Sequence, residues 1–217
     1  MNDDDVARCF SRWQTANPHP TTELQYRSTF ELLVAVMLSA QTTDSSVNKA
    51  TPALFALAPT PEAMLALGEA NVRQCIKSIG LYNTKARHLM ATCTRLVNEF
   101  SGRVPETRND LESLPGVGRK TANVLLNTAF RQPALAVDTH IFRVANRTGL
   151  GRGKNVRAVE TALLARIPLQ YITDAHHWLV LHGRYVCTAR RPQCNTCLIN
   201  DLCDSLKDHT LPDAKTT

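Results

Sequence analysis

Four of the chain's seven cysteines fall close together near its end: Cys187, Cys194, Cys197 and Cys203, spaced Cys-x6-Cys-x2-Cys-x5-Cys. Thiols gathered this closely serve a disulfide set or a metal site, and either use fixes the course of the chain around them. The N-terminus, Met-Asn-Asp-Asp-Asp, is acidic. It has neither the basic start and apolar stretch of a secretory signal nor the Arg-rich character of a transit peptide. A cytoplasmic setting is therefore expected, where disulfides are rare, and the cluster leans towards metal. Structural zinc usually shows two short Cys-x-x-Cys pairs. Here one such pair is flanked by longer arms, which favours wrapping a larger object; on spacing alone zinc and iron–sulfur both stay open. Cys9, Cys75 and Cys93 fall in helical patterns and read as small core or boundary residues.

The rest of the chain reads as helix nearly throughout, without convincing period-two alternation, so an all-α fold is expected. The 217 residues suffice for one domain or two. Periodicity and end signals predict helices over about 3–16, 29–40, 44–58, 61–68, 70–79, 84–101, 109–114, 118–130, 139–149, 155–166 and 174–186. The longest apolar run, Leu32 to Leu38, is too short to cross a bilayer and predicts a buried helix. Gly80, Gly102 and Gly149 stand where left-handed C-terminal caps would fall. Pro61 suits a first helical turn, and Asn83, Asp138 and Asp174 are placed to cap N-termini. Polar or Pro-rich breaks near Pro18–Thr22 and Gln132–Pro133 enclose a nearly neutral helical block, which suggests two lobes with the chain crossing between them twice. The tail from about Leu211 to Thr217 is expected to fray.

Charge is unevenly placed. Residues 1–110 hold 11 Lys+Arg and 11 Asp+Glu, whereas residues 111–217 hold 14 and 8. All of the net charge of +6 thus lies in the half with the cysteines. A basic half suits a polyanion, nucleic acid first, although solubility alone also explains it. Arg184, Arg190 and Arg191 surround the first cysteine loop, and no acidic residue stands between Asp174 and Asp201.

Two segments carry candidate chemistry. In Leu114-Pro115-Gly116-Val117-Gly118-Arg119-Lys120-Thr121-Ala122, Pro115 ends one helix and two glycines permit a tight turn into the next. Free N–H groups at that helix start would bind a phosphate; an ordinary tight turn is the plainer alternative. The full pattern looks like a helix-hairpin-helix, which grips a DNA backbone without reading bases. Lys120, in the first turn, works against the helix dipole, and with desolvation this favours a neutral, nucleophilic amine; the alternative is one more phosphate-binding lysine. In Val137-Asp138-Thr139-His140, an apolar run delivers Asp138 to a helix start. Capping alone would explain it, but a carboxylate fixed there could also take a proton or stabilise positive charge on a sugar. His140, two residues on, could face solvent or DNA, and the DNA side is favoured.

These three motifs, in this order, resemble the endonuclease III family of bacterial DNA glycosylases with AP-lyase activity. The resemblance runs from about residue 4 to 212. It implies two helical domains, one over 22–132, the other formed by residues 1–21 with 133–217, and an active site in the cleft between them. It implies a [4Fe-4S] cluster on Cys187, Cys194, Cys197 and Cys203, Lys120 as the Schiff-base lysine, Asp138 as the catalytic aspartate and Glu112 in a supporting role. Gln41 and Leu81 would fill the gap left by an extruded nucleotide, although Leu81 beside a glycine also suits a core staple. Phosphate and DNA contacts would come from Gly116, Val117, Gly118, Arg119, Thr121, His140, Arg184, Arg190 and Arg191. The expected partner is duplex DNA containing damaged pyrimidines or abasic sites, met by a monomer in the bacterial cytoplasm at the nucleoid, with no membrane. Three rivals stand against this reading, one of them a zinc-binding helical adaptor, which a yellow-brown protein would exclude. An adenine-specific mismatch glycosylase shares the motifs, but typically lacks a lysine at position 120 and carries a further C-terminal domain. A non-catalytic iron–sulfur DNA-binding protein would have no use for Lys120 with Asp138.

Overall fold

The computed structural model describes residues 1–208; the tail expected to fray from Leu211 lies outside the described residues. Among the described residues the regular structure is helical, with no strand. The α-helices are α1 (Asp3–Ala16), α2 (Thr29–Leu38), α3 (Asp44–Leu57), α4 (Pro61–Leu67), α5 (Glu69–Cys75), α6 (Tyr82–Phe100), α7 (Arg108–Ser113), α8 (Arg119–Thr128), α9 (Thr139–Thr148), α10 (Val156–Arg166), α11 (Ile172–Tyr185) and α12 (Asp204–Lys207). The chain divides into two compact units, Glu23–Arg131 and a second made of Met1–Thr22 with the chain from Gln132 onward.

The first unit is built around α2. Every residue from Phe30 to Leu38 is buried, because this helix is apolar all round and packs against α3, α6 and α8. Burying each large aliphatic side chain is worth roughly 1.5–3 kcal/mol. Glu31 is the polar exception. Arg27 satisfies it through its backbone N–H at 2.7 Å and its guanidinium at 2.7 Å. Helix α6 lays Ala86, Leu89, Cys93 and Leu96 along one buried face at helical spacing.

The second unit closes around aromatic rings. Phe10 and Trp13 of α1 meet edge to face at 5.1 Å, and Phe10 lies near Tyr171 and Trp178 at 6.0 and 6.2 Å. Ile199 and Leu202, from the cysteine-bearing loop, are buried in this same core. That loop is therefore anchored by apolar packing as well as by its cysteines. As the sequence suggests, Cys9 and Cys93 are buried core residues and Cys75 is half-buried.

The end signals succeed in part. Pro61 opens α4 behind a Thr60 cap, Asp138 caps α9, and Gly149 closes α9 at φ 82°. Gly102 has φ 73°, paired with Ser101 at 52°. Three expectations need correction. Gly80 is not a left-handed cap: α5 stops at Cys75, and Leu81 instead takes φ 60° at the start of α6. Asn83 lies inside the first turn of α6 rather than before it. Asp174 lies in the first turn of α11, because a 3-10 turn over Leu169–Tyr171 runs straight into that helix. A carboxylate there still suits the helix dipole.

Candidate active site and thiol cluster

The hairpin joins α7 to α8. Val117 N–H donates to Leu114 O at 3.0 Å and closes a turn with Gly116 at φ 78°. A Cβ on Gly116 would lie 2.8 Å from the His88 ring, so the position demands glycine twice over. Thr92 Oγ1 donates to Pro115 O at 2.7 Å and Arg108 Nε to Asn123 Oδ1 at 3.1 Å, which lock the turn to α6 and α7 to α8. Val117 is buried and its amide is used within the turn, so its part is to anchor the hairpin. Gly118 precedes α8 with extended backbone and supplies no side-chain cap. Lys120 stands exposed on that first turn, so its own unit does not supply the desolvation expected of it; Arg119 and Thr121 beside it are half-buried. Glu112 is exposed on α7.

Asp138 opens α9 in extended conformation. Its Oδ1 accepts from His140 N–H and Ile141 N–H, both at 2.9 Å. Both cap bonds thus fall on one oxygen. The carboxylate is half-buried behind Ala134–Val137, all buried. His140 is half-buried, with Nδ1 3.3 Å from Arg143 Nη2. Its backbone packs on Gly183, where a Cβ would lie 2.7 Å from His140 Cβ.

Helix α9 also holds the thiol cluster, through two arginines that sequence reasoning missed. Arg143 donates to Cys187 O at 2.9 Å and Gly183 O at 2.7 Å. Arg147 donates to Thr188 O at 2.7 Å and Ala189 O at 2.8 Å, and its Nη1 lies 3.8 Å from Cys187 Sγ. The signal was available, since basic residues four apart on the helix that starts at Asp138 share one face. The loop they shape exposes Arg190 and Arg191, while Arg184 on α11 is half-buried.

Cys187, Cys194, Cys197 and Cys203 line one cavity with Arg147 and His182. All four are free thiols. Burial pushes Cys197 up to about 11, and burial with the neighbouring thiols also raises Cys194 and Cys203. Deprotonating the set therefore requires strong positive charge in their midst. Burial pulls His182 down to about 4, so a neutral ring faces Cys197 Sγ at 3.7 Å. Among the described residues no group of three or more His, Cys, Asp or Glu is drawn together to hold a single metal ion. Thiols spread around a cavity fit an iron–sulfur cluster, whose irons divide the ligands among them.

Gln41 and Leu81 are both exposed and both left-handed, at φ 55° and 60°. Leu81, at 61% exposure, is not a core staple. Such backbone is costly for a residue with a side chain, roughly 1–3 kcal/mol each.

Residues 34–169 match the model of the HhH-GPD superfamily base excision DNA repair protein, and residues 187–203 match the iron-sulfur binding domain of endonuclease III. Endonuclease III of Escherichia coli (strain K12) is 57% identical over 204 residues, 94% of this chain and 97% of that one. A trapped endonuclease III–DNA covalent intermediate is 42% identical with a TM-score of 0.88, covering 97% of this chain and all of that one. A non-covalent endonuclease III–DNA complex matches equally well, at TM-score 0.88. Among the described residues no helix is long and apolar enough to cross a membrane.

Proposed function

Because this chain belongs to the endonuclease III family, base excision repair enzymes that act as DNA glycosylases and AP lyases, we propose that it removes oxidised or saturated pyrimidines from duplex DNA and nicks the strand through a Schiff base on Lys120. The observation that carries this reading is the hairpin. Its glycine turn leaves the start of α8 uncapped and sets Lys120 beside amides suited to a phosphate. Backbone phosphates bind there and at Arg184, Arg190 and Arg191 without regard to sequence. A saturated or oxidised pyrimidine stacks poorly and costs less to extrude; Gln41 and Leu81 take the space it leaves.

The Lys120 amine then attacks C1′ of the sugar. The glycosidic electron pair leaves with the base, which gains a proton, and the amine gives up its own proton towards Asp138. The capped oxygen holds the carboxylate in place while it accepts that proton and offsets positive charge on the sugar. The C1′–O4′ bond then opens, O4′ taking a proton as the nitrogen lone pair forms the imine, and loss of a C2′ proton from that imine expels the 3′ phosphate, which breaks the strand. Cys187, Cys194, Cys197 and Cys203 hold a [4Fe-4S] cluster, which supplies the positive charge that keeps the four thiolates deprotonated. Arg143 and Arg147 link that loop to the helix carrying Asp138. The enzyme acts as a monomer at the bacterial nucleoid.

Borohydride trapping on thymine-glycol duplex tests the assignment. Lys120→Gln abolishes the trapped adduct and the nick, about 10³-fold or more, while DNA binding survives. Normal trapping by that variant would remove Lys120 from the mechanism.

A further inference from the structure

Lys85 lies on the buried side of α6, in line with Leu89, Thr92 and Leu96, and is 8% exposed. Burial pulls its ammonium below the usual lysine range, so the charge is held there at a cost. A methionine would fill the same space without it. The reason for a lysine is in what it touches. Its Nζ donates to Leu38 O and to Thr42 Oγ1, both at 2.9 Å, and its backbone N–H donates to Leu81 O at 3.0 Å.

Those three acceptors flank the two turns that carry Gln41 and Leu81. Thr42 N–H closes the first turn on Ser39 O at 3.0 Å, with Gln41 third in the turn, a position where positive φ usually calls for glycine. Leu81, also left-handed, immediately precedes α6. Both side chains are exposed, so neither backbone conformation is enforced by packing of its own side chain. It has to be imposed from behind. The ammonium does this at the first turn: it satisfies the last carbonyl of α2, at the negative end of the helix dipole, and holds Thr42 on the far side of Gln41. The same residue's amide makes the first helical bond of α6 onto Leu81.

We propose that Lys85 is a positioning residue for lesion extrusion, its side chain clamping from within the protein the turn that presents Gln41 to the duplex and tying that turn to the helix that Leu81 opens. This rests on the assignment of Gln41 and Leu81 to the gap left by the extruded nucleotide. Lys85 itself contacts no DNA.

The test compares one abasic strand in two states, paired in a duplex and single-stranded, under single turnover with the full-length holoprotein. The single strand has no stack to open and no gap to fill. Lys85→Met is expected to slow the duplex reaction about tenfold and the single-strand reaction less than about twofold. Thr42→Val, which removes one anchor and leaves Lys85 in place, shifts the same ratio by about threefold. 2-Aminopurine opposite the abasic site reports gap filling, and its fluorescence change is lost in Lys85→Met. Equal slowing on both substrates with the fluorescence change intact would make Lys85 a merely structural residue and overturn the proposal. So would an unchanged ratio in Lys85→Met and Thr42→Val while Gln41→Ala and Leu81→Ala lower it. If neither Gln41→Ala nor Leu81→Ala alters the ratio, the gap-filling assignment falls, and the role of Lys85 falls with it.

Discussion

Helices α8 and α9 carry the two groups assigned to the chemistry, and their first turns are built in opposite ways. Gly118 brings no side chain to the start of α8, and Lys120 stands exposed above amides that the protein itself leaves uncapped. At α9, Asp138 fills the same position, and two amides close on one of its oxygens. An open helix start can draw in an external anion. A start closed by its own carboxylate uses those amides to fix that carboxylate. The helix start is thus left without a side-chain cap in α8, whereas in α9 two amides fix a carboxylate. The supports differ as well. Side-chain bonds from α6 and α7 brace the hairpin and α8, whereas α9 is tied through Arg143 and Arg147 to the loop of Cys187.

The largest effect that separates the two starts is expected at Asp138. Asparagine keeps an oxygen in place for both cap bonds but cannot take a proton. Asp138→Asn should therefore melt within about a degree of the parent, while base release under single turnover falls about 10²–10⁴-fold. Asp138→Ala also loses the cap, at a cost of about 1 kcal/mol in a denaturant melt. If the asparagine variant releases base normally, Asp138 is a cap and nothing more, and the contrast with α8 is only architectural.

Next comes Gly116→Ala. The left-handed φ of 78° penalises any side chain, and the new Cβ would lie 2.8 Å from the His88 ring. Together these should cost about 1–3 kcal/mol of stability. The displaced hairpin should also weaken binding to undamaged duplex in a titration. Full stability in the alanine variant would mean that the turn relaxes freely and does not define the phosphate site.

These residues also mark how far the sequence can be read. The helical framework was legible because apolar spacing is set by burial, and α1, α3, α4 and α9 fall within a residue of the predicted ends. The reading failed where a loop mimics that spacing. Val72, Ile76 and Ile79 are buried at intervals of four and three, as in a helix, yet the chain leaves helix after Cys75 and dips both isoleucines inward through turns. Gly80 then looked like a cap for a helix that had already ended. The left-handed residues Gln41 and Leu81 carry no local sign of their conformation, since neither is the glycine or asparagine that usually marks it. Lys85 left a trace that went unread: a charge on the apolar stripe of α6. Asp138, Lys120 and the cysteines stood out because their chemistry is local in sequence. Arg143 and Arg147 show in the sequence only as a shared basic face and His182 not at all, because what they hold appears only when α9 and α11 meet the cysteine loop.

The smallest expected effect gives the sharpest test of the contrast between α8 and α9. Gly118 has φ −94° and ψ 176°, a backbone that serine adopts readily at an N-cap, and a Cβ there would meet nothing within 4 Å. Sterics therefore do not explain the missing cap. In Gly118→Ser the hydroxyl would accept from the amide of Lys120 or Thr121, stabilising α8 by a few tenths of a kcal/mol. The start of α8 would then resemble that of α9. A phosphate would have to displace the hydroxyl to reach the same amides, so affinity for undamaged duplex should drop about two- to fivefold. Because no charge is removed, the slope of log affinity against log salt should stay the same while the line shifts down as a whole. Higher stability with lower affinity is the expected signature. Higher stability with unchanged affinity would show that the open amides of α8 do not bind the backbone, leaving the basic side chains to account for it.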